Sequence, residues 1–276
     1  MASGVVVVTG ASTGIGEATA SHLASLGFEV RPGVRKPEDA ERLREQGLAP
    51  LMLDVTDQAS ITAARSELGD GPLAGLVNNA GIAVSGPLEF LPVDEVRRQL
   101  EVNVVGQVAV TQALLPALRR GRGRIVNISS IGGRVALPLL APYNASKFAL
   151  EAISDSLRRE LRRFGVEVVV VEPGGVKTPI WDKGNQSADT LIEEAPPEAT
   201  ELYGDMIEAI RAESRKIAQE RGLPPGAVAE VVGRALTAKR PRTRYLVGRD
   251  AKMRAALAKR VPDRAMDALI VRALSG

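Results

Sequence analysis

The fold is indicated first by the stretch Val5-Val6-Val7-Val8-Thr9-Gly10-Ala11-Ser12-Thr13-Gly14-Ile15-Gly16. Four consecutive β-branched residues are typical of a strand that is buried on both faces of a parallel sheet. A glycine-rich turn follows at once, and helix-forming residues continue from Glu17 to Leu26. This order of strand, turn and helix is the context in which a helix N-terminus can bind the pyrophosphate of a dinucleotide, because its first N–H groups are unpaired.

Each glycine of the turn has a separate task in such a site. Gly10 would allow the tight turn, Gly14 the close approach of the backbone to a pyrophosphate, and Gly16 the close packing of helix on sheet. The alternative is a glycine-rich turn that binds no ligand, and the strand before it and the helix after it disfavour that alternative.

A second pattern, Tyr143-Asn144-Ala145-Ser146-Lys147, lies in a predicted helix. Residues four apart share one face of a helix, so Tyr143 and Lys147 would be neighbours. A phenol titrates near ~10, and a cation beside it favours the phenolate, which predicts a lowered tyrosine pKa and a hydroxyl able to exchange protons. Ser130 ends an apolar run upstream, where a strand end can present a hydroxyl to a carbonyl oxygen. A solvated helix face is the alternative for the Tyr–Lys pair taken alone.

Strand-like apolar runs alternate with helical periodicity along the chain. Strands are predicted at Val5–Val8, 29–31, 49–53, 73–77, Arg124–Ile128, 166–171 and Arg244–Val247, and helices near 14–26, 37–46, 57–68, 92–119 and 143–163. This alternation predicts an α/β fold, a doubly wound parallel sheet of the Rossmann type, in a single domain over residues 1–276.

Two segments depart from the alternation. Residues 179–225 are expected to form a mobile lid over the substrate site, polar up to Pro197 and helical from Glu198 to Glu220, because a long insertion is usually functional. A disordered surface excursion is the alternative. Residues 249–276 are predicted to form a basic, helical C-terminal extension, with Met253, Leu257 and Leu269 interleaved, that packs on its own subunit.

Composition excludes several classes of site. The chain has 276 residues, 45% of them hydrophobic, and no cysteine, which excludes disulfide frameworks and thiolate sites. His22 is the only histidine, so a histidine-based triad is excluded and no metal site is predicted; helix packing is its expected role. The net charge of +3 accompanies no nucleic-acid motif. No signal peptide or long apolar span is evident, so we expect a cytoplasmic protein without membrane insertion.

Five motifs in order give the chain a family resemblance. It resembles the classical short-chain dehydrogenases/reductases over roughly residues 4 to 180, and segments 53–57 and 131–148 are most similar to the hydroxysteroid- and retinol-dehydrogenase-like branch. The matching residues are Gly10, Gly14 and Gly16; Asn78-Asn79-Ala80-Gly81; Asn103; Ser130, Tyr143 and Lys147; and Pro173-Gly174-Gly175-Val176-Lys177-Thr178.

The resemblance implies a role for each matching residue. Tyr143 would be the general acid/base, Ser130 would bind the substrate oxygen, and Lys147 would lower the tyrosine pKa and hold the nicotinamide ribose. Asn103 would hold a water that links Lys147 to solvent, although a structural helix-kink role is its alternative. The implied cofactor-binding residues are Gly10, Ser12, Thr13, Gly14, Ile15, Gly16, Arg35, Asp54, Val55, Asn79, Ala80, Gly81, Tyr143, Lys147, Pro173, Gly174, Val176 and Thr178. Within this set, Thr178 would bond the carboxamide, Asn79 line the adenosine side and Asp54 meet the adenine edge, whereas Asp57 is predicted to cap a helix.

Cofactor choice depends on the end of the second strand. Val34 occupies the position where NAD-preferring relatives carry an acidic residue, and Arg35 follows it. An arginine there accommodates the 2′-phosphate, which favours NADP(H) over NAD(H). Thr13 argues against NADP(H), because many NADP relatives carry a basic residue at that position.

The implied function is an NADP(H)-dependent oxidoreductase that interconverts a ketone or aldehyde and an alcohol. A steroid-, retinoid- or aryl-ketone-like substrate is expected, because residues 135–142, Leu88, Phe90, Leu91, Ile180 and Trp181 are apolar; Arg134 is expected to reach solvent. For the apolar residues, the alternative is that the leucines pack under the sheet without touching substrate. For the function, the alternatives are an NAD-dependent alcohol dehydrogenase, a non-catalytic nucleotide-binding regulator, and a lyase or epimerase. Excess apolar surface on residues 107–118 and on the next helix predicts a homodimer or homotetramer.

Overall fold

A computed structural model describes residues 3–274, so the first two and the last two positions of the predicted domain and extension lie outside the described residues. Seven strands form one parallel sheet. They are β1 (Val5–Val8), β2 (Glu29–Val34), β3 (Leu51–Met52), β4 (Leu73–Asn78), β5 (Arg124–Ile128), β6 (Glu167–Pro173) and β7 (Arg244–Val247). Their order, β3-β2-β1-β4-β5-β6-β7, confirms the predicted doubly wound Rossmann sheet.

Eleven α-helices connect, cover and extend this sheet within residues 3–274. They are α1 (Gly14–Ser25), α2 (Pro37–Glu45), α3 (Gln58–Leu68), α4 (Val93–Leu100), α5 (Gly106–Gly121), α6 (Ala141–Leu161), α7 (Ile180–Glu193), α8 (Pro197–Lys216), α9 (Pro225–Thr237), α10 (Arg249–Ala258) and α11 (Asp263–Leu274). The Asp57 carboxylate accepts a hydrogen bond from the Ala59 N–H, which confirms the predicted cap of α3.

The core has two layers, one on each face of the sheet. Successive side chains of a strand point to opposite faces, so Val6 and Val8 of β1 pack on one side with residues of α1 and α9, whereas Val7 packs on the other with residues of α3 and α5. All three valines are fully buried. This two-sided burial explains why the strand is a continuous apolar run.

The predicted helix over residues 92–119 is interrupted. A π-helical segment, Glu101–Val105, separates α4 from α5 and contains the buried Asn103. Short π segments are frequent at functional sites, because the extra residue re-aims a side chain. A second π segment, Ile217–Arg221, ends α8.

Two helices differ from the sequence-based expectation. The polar stretch after Thr178 was not assigned a helix, yet α7 occupies it, with Gly184 and Ala188 as its buried positions. Helix α9 was not predicted, because its run of alanine and valine resembles a strand; it is buried against α1 and the sheet. His22 lies in that contact, since a Cβ on Gly233 would be 2.7 Å from its Nε2 atom. The packing role expected for His22 is therefore observed.

The C-terminal extension packs on its own subunit through α10. Ala251 and Ala255 are buried against Ile131 and Leu246, while Met253 is exposed. Between residues 3 and 274, no helix is both long and apolar enough to cross a bilayer. The same residues contain no group of three or more His, Cys, Asp or Glu side chains that could hold a metal ion.

Candidate active site

A cavity of about 390 Å³ lies beyond the carboxyl ends of the strands, where open parallel sheets bind their ligands. It is lined by the turns that follow β1, β4, β5 and β6 and by the first residues of α7. Of the predicted catalytic and cofactor-binding residues, only Gly16 and Asn103 do not line it, and both are buried.

The glycine-rich turn has the shape of a phosphate cradle. Gly10 and Gly14 have φ angles of +62° and +61°, which residues with side chains rarely adopt. A Cβ on Gly16 would lie 2.3 Å from the Gly10 carbonyl oxygen, so α1 can approach β1 only with glycine there. Thr13 precedes α1 but makes no side-chain capping bond, which leaves the first N–H groups of α1 free to bind an anion. The turn therefore fits the pyrophosphate of a dinucleotide.

Asn79 locks this turn to the neighbouring strand. Its Nδ2 atom donates hydrogen bonds to the Thr9 and Gly10 carbonyl oxygens at 2.9 and 3.0 Å. In return, the Thr9 hydroxyl accepts from the Asn79 and Ala80 N–H groups, both at 3.0 Å. Asn79 also lines the cavity, so the structure brings it to the predicted place and adds a structural role.

Arg35 and Asp54 lie at the far end of the cavity, where the adenosine is expected. The Arg35 guanidinium is 66% exposed and lies 4.0 Å from the Asp54 carboxylate, so this contact holds it loosely. The other Asp54 oxygen accepts hydrogen bonds from the Thr56 N–H and hydroxyl. Arg35 is therefore free to turn towards a phosphate.

Arg42 is a residue of this end that sequence reasoning missed. Its guanidinium, on α2, donates to the Ser12 carbonyl oxygen at 2.5 Å and pairs with Glu17. It thereby ties the glycine-rich turn to α2. No local motif marks Arg42, because its partners are separated from it by 25 and 30 residues.

Ser130 and Tyr143 meet above Gly132. A Cβ on Gly132 would lie 3.2 Å from Tyr143 Cε1 and 3.4 Å from Ser130 Oγ, so only a glycine leaves the space between them open. The Ser130 oxygen accepts the Gly132 N–H at 3.0 Å, which fixes the side chain while its own proton stays available. The Tyr143 hydroxyl also forms a hydrogen bond with the Ser130 hydroxyl, so the two groups lie side by side at the cavity wall.

Lys147 lies one helical turn below Tyr143 and is buried. Its Nζ atom donates to the Ile128 carbonyl oxygen at 2.9 Å and is 5.7 Å from the centre of the Tyr143 ring. Burial lowers the pKa of Lys147 to about 8, and the Glu151 carboxylate acts in the opposite direction. Lys147 is thus oriented by the end of β5 as well as by its own helix.

The predicted effect of Lys147 on the tyrosine differs from what the structure shows. Burial raises the pKa of Tyr143 above its usual value of 10.0, although the Ser130 hydroxyl acts in the opposite direction. The expectation of a lowered pKa was wrong for this state, because the loss of hydration outweighs a lysine bonded elsewhere. At neutral pH Tyr143 is therefore protonated and available as a proton donor.

Asn103 holds the turn that follows β4. Its Oδ1 atom accepts the Ile82 N–H at 2.9 Å, and its Nδ2 atom donates to the Ile82 carbonyl oxygen at 3.0 Å and to the Ser146 hydroxyl at 3.1 Å. Ser146 lies between Tyr143 and Lys147 on α6, so Asn103 positions α6 relative to the π segment. The water relay implied for Asn103 stays a prediction.

A charge network behind Lys147 was not predicted. Glu172 is fully buried at the end of β6, and Arg134 binds it through two hydrogen bonds of 2.5 and 3.0 Å. The expectation that Arg134 reaches solvent was therefore wrong, because a buried carboxylate requires a partner. Burial and the neighbouring Glu151 raise the pKa of Glu172, while Arg134 opposes them. Glu151 itself pairs with Arg244 at 2.9 Å.

Asp250 of α10 supports the loop after β6. Its carboxylate accepts the Gly175 N–H at 2.8 Å, and a Cβ on Gly174 would lie 2.0 Å from the same oxygen. The C-terminal extension thus fixes the Pro173-Gly174 turn, which lines the cavity. Sequence reasoning missed this role, because Asp250 follows Gly175 by 75 residues.

The substrate end of the cavity combines apolar and cationic residues. Ile82, Val102, Ile180 and Trp181 line it, and the Trp181 indole is fixed by donating to the Val176 carbonyl oxygen at 2.7 Å. The cationic residues Arg98 and Lys183, which were not predicted for the site, also line it.

The apolar wall predicted upstream of Tyr143 lies elsewhere. None of residues 135–142 lines the cavity, and neither do Leu88, Phe90 and Leu91. Leu139 packs instead against Ile207 and Ile210 of α8. Phe90 packs edge-to-face on Tyr203 of α8, whereas Leu88 is 61% exposed. Contact of these residues with substrate stays a prediction.

Replacing Lys147 with methionine should change how stability depends on pH. Below about pH 8 the folded protein carries a buried ammonium, so the free-energy cost of burying this charge reduces its stability in full. Between about pH 8 and 10.5 Lys147 is neutral in the folded protein but still protonated in the unfolded chain. The cost of burying the charge therefore decreases as the pH rises, and the free energy of unfolding increases. We expect the free energy of unfolding of the wild type, relative to Lys147→Met, to rise by about 3 kcal/mol over that interval.

Urea unfolding at a series of pH values measures this difference. Lys252→Met is the matched control, because Lys252 is exposed on α10. If the difference in unfolding free energy between the wild type and Lys147→Met stayed constant from pH 7 to pH 10.5, the lowered pKa of the buried lysine would be contradicted.

Comparison with known proteins identifies relatives along the whole chain. The short chain dehydrogenase family model matches residues 4–189. An NADPH-dependent 3-dehydrocapnine reductase of Ornithobacterium rhinotracheale is 39% identical over 97% of this chain and 96% of its own. Mouse retinol dehydrogenase 5 is 38% identical over 96% of this chain and 87% of its own.

Solved structures agree with the sequence relatives. A Burkholderia cenocepacia short chain dehydrogenase in complex with NADP has a TM-score of 0.76 and 27% identity, covering 99% of this chain and 98% of its own. A Burkholderia phymatum short chain dehydrogenase/reductase in complex with NAD has a TM-score of 0.78 and 25% identity, covering 92% of each chain. Together with the site geometry, these matches show that the chain belongs to the short-chain dehydrogenase/reductase family and is an oxidoreductase acting on alcohol or carbonyl groups.

Proposed function

We propose that the protein reduces an apolar ketone or aldehyde to its alcohol with NADPH, and catalyses the reverse oxidation with NADP⁺. The observation that carries the proposal is the placement of the Ser130 and Tyr143 hydroxyls beside each other, above the buried Lys147 and on the wall of a cavity that fits a dinucleotide. When bound, the nicotinamide would supply or accept the hydride. All other parts of the reaction fall to residues of this chain.

The proton and the developing charge are handled by the two hydroxyls. Ser130 donates a hydrogen bond to the carbonyl oxygen and polarises it, since its own oxygen is already held by the Gly132 N–H. Tyr143 gives its proton to that oxygen as negative charge develops, and its protonated state at neutral pH suits it to this direction. The ammonium of Lys147 stabilises the phenolate that remains.

The cofactor preference proposed here rests on Arg35. Charge-assisted hydrogen bonds to a phosphate are strong, and Arg35 is the exposed, loosely held guanidinium at the adenosine end. We expect Arg35→Ala to weaken NADPH binding by roughly 10- to 100-fold and to leave NADH binding within about twofold.

Fluorescence titration of both reduced cofactors checks this preference. Arg44→Ala is the matched control, because Arg44 is an exposed arginine that pairs with Glu41 and does not line the cavity. Equal affinity of the wild type for NADH and NADPH would show that Arg35 does not select the cofactor.

The substrate class is proposed from the residues at the nicotinamide end. Ile82, Val102, Ile180 and Trp181 offer apolar surface, and each methylene buried there contributes about 0.8 kcal/mol. A retinol dehydrogenase among the relatives supports a bulky apolar substrate. NADPH oxidation across neutral ketones of growing apolar size, with charged analogues of the same carbon skeletons beside them, tests the proposal; catalytic efficiency should rise with size. A flat series, or a preference for small charged ketones, would refute the apolar class.

We also propose that the protein is a homodimer or homotetramer that pairs through α5 and α6. Val105, just before α5, and Phe148, on α6, are 50% and 45% exposed, and large apolar side chains at such exposure are typical of an association surface. Light scattering at micromolar concentration should give a multiple of the mass of one chain, and Phe148→Glu should lower it. A monomer mass for the wild type would refute the pairing.

A further inference from the structure

A second cavity, of about 520 Å³, lies at the opposite edge of the sheet from the candidate active site. It is formed by the amino-terminal ends of β5 and β6, the residues before β7 and the end of α6. Because β6 has seven residues, the two cavities are about 20 Å apart. The mechanism above uses no residue of this second cavity.

Arginine dominates the lining of this cavity, which we call the arginine groove. Six arginines and one carboxylate, that of Glu167, line it. The arginines are Arg122, Arg124, Arg158, Arg159, Arg162 and Arg242. So many like charges around one concavity repel one another, and an anion bound between them would relieve that repulsion.

Three of these guanidiniums have a carboxylate partner, and two of the three are held closely. Arg124 pairs with Glu167 at 3.0 Å and donates to the carbonyl oxygens of Ala235 and Leu236 at 2.8 and 2.7 Å. Arg158 and Arg159 share the carboxylate of Asp155, at 2.5 and 3.7 Å. The close contacts of Arg124 and Arg158 fix one wall of the groove, whereas the Arg159 side chain is 69% exposed.

The other three guanidiniums have no carboxylate partner among the described residues. They belong to Arg122, Arg162 and Arg242, and all three residues are exposed. A planar guanidinium presents paired donors that match two oxygens of a phosphate, which a surface lysine does not. Three guanidinium groups without carboxylate partners around one cavity are therefore suited to bind several phosphate oxygens at once.

Arg122 holds its side chain at the groove from the last turn of α5. Its φ angle is 44°, and Leu139 is the only other non-glycine residue between residues 3 and 274 with a positive φ. Arg122 stands between Gly121 and Gly123, and a third glycine would adopt this conformation without strain. The left-handed conformation ends α5, because the Arg122 N–H donates to the carbonyl oxygens of Leu118 and Arg119. Its side chain packs over Gly165, which orients it along the groove.

We propose that the arginine groove is a binding site for a compact anion that carries several phosphate groups. The concave shape suits an oligophosphate rather than an extended polymer, and the excess of positive charge requires a multivalent ligand. Such clustered phosphates are carried by free oligophosphates and by phosphorylated lipid headgroups. The site is separate from the dinucleotide cavity and does not depend on the function proposed above.

The test uses the full-length protein and sodium tripolyphosphate in calorimetric titrations. The groove variant is Arg122→Ala/Arg162→Ala/Arg242→Ala, and the matched control is Lys259→Ala/Arg260→Ala/Arg264→Ala, which removes the same charge from exposed positions of the C-terminal extension. We expect the groove variant to bind at least tenfold more weakly than the wild type, and the control to bind within about twofold. Any binding at the glycine-rich turn is common to all three proteins and cancels in the comparison.

A second arm identifies the source of the phosphates. Sedimentation with vesicles of phosphatidylcholine, with and without phosphatidylinositol 4-phosphate, shows whether a lipid headgroup occupies the groove. Binding of either probe that the groove variant loses and the control keeps supports the site. Equal binding by all three proteins, equal losses in both variants, or no binding of either probe overturns it.

Folding of the variants is checked by NADPH titration, which should be unchanged because the cavities lie at opposite edges of the sheet. Should the triple variant unfold, the single variants Arg162→Gln and Arg242→Gln replace it, since both positions are exposed. Each is expected to weaken tripolyphosphate binding by roughly threefold or more.

Discussion

Tyr143→Phe is expected to lose about 10²–10⁴-fold in turnover and to keep its affinity for NADPH. The phenylalanine ring preserves the packing above Gly132, and only the hydroxyl that we propose as the proton donor is removed. Steady-state reduction of an apolar ketone gives the turnover, and fluorescence titration gives the affinity.

Tyr245→Phe provides the matched control for this loss of one hydroxyl. Its hydroxyl accepts the Arg242 N–H at 3.1 Å, at the edge of the sheet away from the active site. Turnover should stay within about twofold of the wild type. Turnover of Tyr143→Phe near that of the wild type would remove Tyr143 from the chemistry.

Gly16→Ala is expected to have the second large effect, on both stability and cofactor binding. The added Cβ would lie 2.3 Å from the Gly10 carbonyl oxygen and 2.5 Å from Asn79 Nδ2, so α1 must move away from β1. Overpacking of this kind costs about 1–3 kcal/mol of unfolding free energy. Because the first turn of α1 forms the phosphate cradle, we also expect NADPH affinity to fall by roughly 100-fold or more.

Gly226→Ala is the control for Gly16→Ala. Gly226 lies in the first turn of α9, and a Cβ there would meet no atom within 4 Å. Alanine should be neutral or slightly stabilising at that position. Urea unfolding and NADPH titration of both variants measure the contrast, and a Gly16→Ala protein as stable as Gly226→Ala would contradict the close helix–sheet contact.

The residues that sequence reasoning placed in the site share one property, which is that short-range spacing identifies them. Gly10, Gly14 and Gly16 follow a strand and open a helix, while Tyr143 and Lys147 are one turn apart on α6. Backbone geometry determines where residues at such spacing lie in space, so the structure brings these residues together as predicted. The alternating pattern that specified the sheet is local for the same reason.

The residues that were missed act through long-range contacts. Asp250 holds the loop after β6 from the C-terminal extension, Arg42 holds the glycine-rich turn from α2, and Arg134 partners the buried Glu172. Asp and Arg are common surface residues, and nothing in their neighbours along the chain shows that they are tied to a site. The prediction that the pKa of Tyr143 is lowered was wrong for a similar reason, because the burial that raises this pKa depends on the whole fold.

The proposed reaction is tested most directly by following the hydride. In a single turnover with NADPH deuterated at the transferable C4 position and an apolar ketone, mass spectrometry should find the deuterium on the carbinol carbon of the product. Tyr143→Phe should bind the same cofactor and transfer deuterium about 10²–10⁴-fold more slowly. A protein that binds NADPH yet transfers no deuterium to any ketone or aldehyde of the series would contradict the account.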